Sequence, residues 1–324
     1  MPNNAAWDTA TTDPANRAAQ AVSLNVAARA AAVAGPNWPA EFDGTVVAAD
    51  GFESGDMIAP QNSVGLSYYV PPEIYIATMD PDPLLIYKGQ TGSVSLRPAD
   101  LTKDFTALTG DNNLRFLYIP GNAAANANEL EFFTNAPGME VFWMGFDLRV
   151  PVNFDHAPMA NGLSGHNNKL FRIYTSPSTG NTDTGSLVGM EFRRTSNDAA
   201  NTGNSYWYCK ISSANTSENN TDLNTNPRNR FITIPQDRGK WMRIAVKITT
   251  ATTNESLDGS MEVWRKWEGE ADFTKEFDFQ NRGITRSAET GNGFMSGYLL
   301  GYANSPYAED TEFFIDNFEI AGLT

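Results

Sequence analysis

The stretch Glu140–Val150, EVFWMGFDLRV, decides the fold. Read with period two, Phe142, Met144, Phe146, Leu148 and Val150 point one way. Val141, Trp143, Asp147 and Arg149 point the other. A helix would scatter those apolar residues around its circumference, whereas a strand lines them up on one face. Eleven residues of strand run about 37 Å, long enough to demand long partners. Lys240–Thr250, KWMRIAVKITT, supplies one: Met242, Ile244, Val246 and Ile248 alternate with Trp241, Arg243, Ala245 and Lys247.

Outward from these two, strand patterns follow one another with turn signals between them. They fall at residues 129–133, 169–175, 187–195, 205–212, 230–234, 260–267, 273–279, 293–301 and 311–320. No helical period interrupts them, so antiparallel sheets packed as a sandwich or jelly roll are expected, a mainly β fold. In residues 311–320 the apolar pairs Phe313/Ile315 and Phe318/Ile320 are out of phase across Asp316-Asn317. A bulge there returns both pairs to the core. Residues 60–125 hold short apolar runs between Pro-rich and Asn-rich breaks, and either complete the main sheets or form an inserted region.

The N-terminal 45 residues read differently. Asp13 caps and Pro14 opens a helix that Gly35-Pro36 closes, spanning about 31 Å. Its narrow seam includes Val22, Val26 and Val33, too weak for a large core, which leaves two readings: docking on a partner protein or on further copies of this chain, a trimer among them, or folding back on the β domain. Pro36, Trp38 and Pro39 read as a linker to a β domain over residues 46–322.

A net charge of −15 repels phosphate backbones and argues against nucleic acid. Cys209 is the sole cysteine, so packing rather than a disulfide holds the fold. It lies in the alternating stretch SYWYCKIS and reads as a small core residue. No apolar run is long enough for a membrane span, and the N-terminus has no secretory pattern.

DGFESGD at 50–56, EVFWMGFDLRVPVNF at 140–154, NNKLFRIYT at 167–175, GKWMRIAVKI at 239–248, DGSMEVWRKWEGE at 258–270 and TEFFIDNFEI at 311–320 resemble concanavalin A-like jelly-roll domains. The similarity is to the polysaccharide-lyase-like and laminin-G-like branch of that superfamily, and it implies a carbohydrate-directed surface. A hydrolase of this fold sets paired carboxylates on one strand face. Glu312, Asp316 and Glu319 are spaced four and three apart and do not share one. A β-elimination lyase needs a proton acceptor beside groups that neutralise a uronate carboxylate. His166, Lys169, Arg172 and Arg193 are the candidates, with Lys169 and Arg193 meeting an anionic sugar on one concave face. Sugar binding without chemistry needs aromatic platforms, for which Trp143, Tyr206, Tyr208, Trp264 and Trp267 qualify. Tyr206 and Tyr208 share one strand face while Trp207 and Cys209 share the other. The resemblance also implies a structural Ca²⁺ tying the first strand to the last through Glu53 and Asp316; no other cofactor is called for.

Without a catalytic constellation complete in the sequence, form decides the expectation. An absent export signal, absent disulfides and a docking arm together read as a bacteriophage virion component assembled in a host cytoplasm. It would be a non-catalytic head decoration, fibre or tail-associated protein, anchored through its arm to other virion proteins and displaying its sandwich toward host surface polysaccharide. The alternatives are a polysaccharide lyase acting on uronate-containing glycans and a free lectin module.

Overall fold

The computed structural model describes residues 38–50, 66–69, 84–90, 94–98, 112–118, 129–133, 139–156, 167–175, 186–194, 203–213, 221–222, 229–286, 293–294, 296–301, 303 and 307–323. Every regular element among them is a strand. In chain order these are β1 (Thr45–Asp50), β2 (Leu66–Tyr69), β3 (Leu84–Gln90), β4 (Val94–Pro98), β5 (Asn112–Tyr118) and β6 (Glu129–Phe133). Then come β7 (Val141–Arg149), β8 (Asn167–Tyr174), β9 (Ser186–Arg193), β10 (Ser205–Ser213), β11 (Thr221–Asp222) and β12 (Arg230–Ile232). The last are β13 (Trp241–Thr249), β14 (Gly259–Trp267), β15 (Thr274–Arg282), β16 (Ser296–Leu300) and β17 (Thr311–Leu323). The expected N-terminal helix, with Val22, Val26 and Val33, lies outside the described residues, as do Glu53 and His166.

The strands form two antiparallel sheets. The first has eight, in the order β15-β14-β13-β7-β17-β5-β4, with β1 also paired to β17. The second has nine, in the order β11-β10-β9-β8-β16-β6-β3-β2, with β12 also on β10. The described strands β2 and β3 belong to the second sheet and β4 and β5 to the first. The two long stretches that decided the reading are direct neighbours, running from Trp241↔Arg149 to Thr249↔Val141 without a break. Phe142, Met144, Phe146 and Leu148 from β7 meet Phe171, Ile173, Val188, Met190 and Phe192 from the second sheet in one apolar core. Cys209 is buried in that core and forms no disulfide.

The bulge in β17 is where the phase of the sequence puts it. Pairing to β7 shifts between Asp316 and Glu319, and Asn317 adopts a φ of 47°. Asparagine tolerates this left-handed conformation better than most residues with a side chain. Phe313, Ile315, Phe318 and Ile320 all reach the core as a result.

The outer face of the first sheet is covered. Trp38 stacks on Phe42 at 4.5 Å, and both pack edge-on against Trp143, which stacks on Trp264. Asp43 accepts a hydrogen bond from Trp143 Nε1 at 2.8 Å and pairs with Lys247. Residues 38–44 are thus a strap on the sheet rather than the linker that two prolines announce. Gly145 makes room for it: a Cβ there would sit 3.0 Å from the Trp38 ring and 2.6 Å from Arg243 Nη2.

Candidate functional site

The site lies on the outer face of the second sheet, opposite the strap. Strands β8, β9 and β10 send alternate residues outward, and their register lines those residues up. Lys169, Glu191 and Tyr208 form one row across the three strands; Asn167, Arg193 and Tyr206 form the next. Adjacent strands lie about 4.8 Å apart, so each row spans about 10 Å. A register shift between Lys169 and Phe171 lets Leu170 and Phe171 both face the core while Lys169 and Arg172 stay on the outer side.

Glu191 is the hub. Its Oε1 accepts from Lys169 Nζ and, at 3.2 Å, from Arg172 Nη2. Its Oε2 accepts from Arg193 Nη2 at 2.8 Å, from Arg193 Nε at 3.0 Å and from Asn167 Nδ2. The Arg193 guanidinium also lies over the Tyr208 ring, 3.4 Å from its centroid, with Lys210 Nζ 5.8 Å from the same ring. Three cations thus share one carboxylate, leaving a local surplus of two positive charges on a chain whose net charge is −15.

Burial grades these groups. The Glu191 side chain is 2% exposed and that of Lys169 11%, whereas those of Arg172 and Arg193 are 25% and 23% exposed. Desolvation is the largest influence on the Lys169 ammonium and brings it down from 10.5 to about 8, against the pull of Glu191. For Glu191 burial alone would raise the carboxyl, but the charges of Lys169 and Arg193 outweigh it and hold it at about 2. Beyond Arg172 the same face continues into Tyr174, Leu187 and Tyr298, which pack together, with Tyr298 opposite Arg172 in the register. The face therefore combines an amine close to neutrality, two arginines at the surface and a set of phenols. That is equipment for taking up an acidic sugar and moving a proton on it.

Of the sequence candidates, Lys169, Arg172, Arg193, Tyr206 and Tyr208 come together on this face. The two tyrosines are outward and Trp207 and Cys209 inward. Trp143 and Trp264 must be corrected. They are 0% and 1% exposed beneath the strap, so no glycan stacks on them. Trp267 is half-buried against the core, with Arg265 over its ring at 5.2 Å. His156, the other histidine, is buried and stacked on Phe192.

The acids of β17 are also accounted for. Glu312 pairs with Arg115. Arg243 donates to Asp147, Glu319 and, at 2.6 Å, the Asn317 carbonyl, while Asp316 Oδ1 caps the Asn317 amide at 2.7 Å. Asp316 and Glu319 are each 2% exposed, and among the described residues no His/Cys/Asp/Glu group is arranged to hold a metal.

Glu191 and Asn167 are the members of this face that sequence reading passed over. The signal was present: Glu191 and Arg193 alternate outward in SLVGMEFR, between the inward Val188, Met190 and Phe192. Only the register reveals that this glutamate sits beside Lys169.

No protein-family model matches the sequence, and no curated protein matches it either. Solved structures do. The chain is similar to a variant of alginate lyase Aly36B in complex with an alginate tetrasaccharide, at 12% identity, 82% of this chain, 96% of that one and a TM-score of 0.51. It is similar to another variant of that enzyme with an alginate trisaccharide, at 13% identity, 82% of this chain, 97% of that one and a TM-score of 0.50. An endo-β-1,4-glucuronan lyase from the fungus Trichoderma reesei matches at 14% identity, 71% and 90% coverage and a TM-score of 0.40. The expectation of a non-catalytic virion adhesion protein is overturned: the two solved structures just described with TM-scores of 0.51 and 0.50 are variants of an alginate lyase. Over 82% of its length the chain shares the fold of that alginate lyase, and its described strands form two antiparallel sheets.

Proposed function

We propose that this protein is a polysaccharide lyase that cleaves uronate-containing glycans by β-elimination. The observation that carries the reading is the convergence of Lys169, Arg172 and Arg193 on one face with Tyr206 and Tyr208. A proton α to a carboxylate is hard to remove because the resulting carbanion adds charge to an existing anion. Arg172 and Arg193, the more exposed cations, offset that charge by binding the uronate carboxylate.

In the step, neutral Lys169 Nζ takes the proton from the sugar carbon next to the carboxylate. The electron pair of that C–H bond forms a carbon–carbon double bond, and the adjacent carbon–oxygen bond of the glycosidic link breaks. The departing oxygen receives a proton from the Tyr206 or Tyr208 phenol. No water is consumed. Lys169 serves as base because burial has brought its ammonium to about 8, so a useful fraction is neutral at physiological pH.

The test is incubation with a panel of polyuronates, alginate and glucuronan among them, read by the ultraviolet absorbance of the unsaturated product. Absorbance should rise with the wild type and fail to rise with Lys169→Ala. Tyr206→Phe and Tyr208→Phe then identify the phenol that acts as acid. Silence across the whole panel would refute the proposal.

A further inference from the structure

One buried carboxylate facing three cations is more than a lyase requires. An isolated acid in a site meant for polyanions weakens binding, so its presence calls for a reason. Geometry supplies one. Lys169 and Arg172 reach Glu191 Oε1, while Arg193 and Asn167 reach Oε2, so each oxygen fixes a different pair of donors. Glu191 itself is held between two neighbouring strands, opposite Lys169 on one side and Tyr208 on the other.

We infer that Glu191 is the positioning residue of this face, setting both the arrangement and the protonation of Lys169 at the expense of some affinity for the anionic substrate. This rests on the lyase reading and deepens it. Among the described residues, the charged and titratable groups around Lys169 are Glu191 and Arg193 on β9, Arg172 on its own strand, Tyr208 and Lys210 on β10, and Tyr298 on β16 beside Arg172. Glu191 is the one anion among them, and the remaining cations oppose a charge on Lys169. Replacing Glu191 by glutamine keeps the size but removes the anion. Lys169 then loses its proton more easily, while one carboxylate oxygen gives way to an NH2 donor, so one of the two sets of donors loses its acceptor. For a given charge on Lys169 the face is one charge more positive than before, so it attracts a polyanion at least as well.

Glu191→Gln is therefore expected to split the kinetic constants. On a polyuronate kcat should fall by about tenfold or more, KM should stay level or fall, and the rise of rate with pH should move to lower pH. Glu191→Asp should recover part of kcat, since it restores the charge. A side chain with a merely structural role would not lower KM or move the pH profile. Independently of turnover, the Lys169 amine can be titrated by NMR of isotope-labelled lysine, with its signal assigned by its loss in Lys169→Ala. Its midpoint should drop in Glu191→Gln. An unchanged midpoint, or a KM that rises with kcat unaltered, would overturn the inference. Should the wild type cleave no polyuronate, the lyase reading falls while the amine titration still decides the role of Glu191. If Glu191→Gln does not fold, Glu191→Asn removes the same charge from a shorter side chain, and wild-type kcat, KM and Lys169 midpoint in it would overturn the inference.

Discussion

The pH dependence of cleavage follows from the environment of a single amine. A lysine at an ordinary value near 10.4 is about 0.04% neutral at pH 7. With Lys169 at about 8, the neutral fraction is about 9% at pH 7, about 50% at pH 8 and about 91% at pH 9. Burial therefore supplies roughly a two-hundred-fold larger pool of base at pH 7. If the neutral amine is the species that takes the proton, kcat/KM at low substrate should climb about tenfold between pH 7 and pH 9 and then level off. The assay is the initial rate of absorbance by the unsaturated product at constant ionic strength, because salt screens a polyanion from Arg172 and Arg193. Lys169→Arg supplies a control: it keeps the positive charge but cannot lose its proton in this range, so cleavage should vanish while binding of the polymer persists. A rate that is flat or falls from pH 7 to pH 9, or a Lys169→Arg variant that still cleaves, would refute the assignment of Lys169 as base.

Other expectations are simpler to state. Arg193→Ala removes both a carboxylate contact and the cation over the Tyr208 ring, so KM for a polyuronate should rise by about tenfold or more, whereas a neutral glycan should be indifferent. Glu191, held at about 2 in the fold against an unfolded value of 4.5, favours the folded state above pH 4.5 and loses that contribution as pH falls toward 2. Acid unfolding of Glu191→Gln should accordingly be less steep across that window than that of the wild type. Lys169 works in the opposite sense: its cost is present in full below about 8 and is relieved as pH rises toward 10.5, so the pair adds little net stability at neutral pH. Gly145→Ala drives a methyl against Arg243 and Trp38, and overpacking of this kind costs about 1–3 kcal/mol in a denaturant titration. Trp38→Ala should expose Trp143 and Trp264, seen as a red-shifted tryptophan fluorescence, while the activity assigned to the opposite sheet is retained.

Much of the fold could be read from residue order because β structure writes its periodicity into the chain. Phe142 to Val150 and Met242 to Ile248 alternate with a period that only a strand places on one face. A phase slip at Asp316-Asn317 then gives away a bulge, because two apolar pairs on opposite faces cannot both be buried otherwise. The outer faces were less legible. Trp143 and Lys169 both occupy outward positions in strands, and nothing in their local sequence says which is covered. Coverage comes from residues about a hundred positions away: Trp38, Phe42 and Asp43 close over Trp143. The same holds for the candidate site. Lys169, Arg172 and Arg193 were identifiable as cations in neighbouring strands, and tyrosine alternation placed Tyr206 and Tyr208 on one face.

What the chain determined alone was the sandwich, the position of its bulge, the buried thiol of Cys209 and the residue types available to meet an acidic sugar. Strand pairing decided the rest. It put Glu191 between Lys169 and Tyr208, turned Arg193 onto the ring of Tyr208, and hid one set of tryptophans under a strap while leaving the opposite sheet to display its charges. The physical reason is that periodicity is a local property, fixed by the backbone of a single strand. Lateral register and coverage depend on which distant segments share a sheet or lie across it, and a short-range pattern carries no record of that.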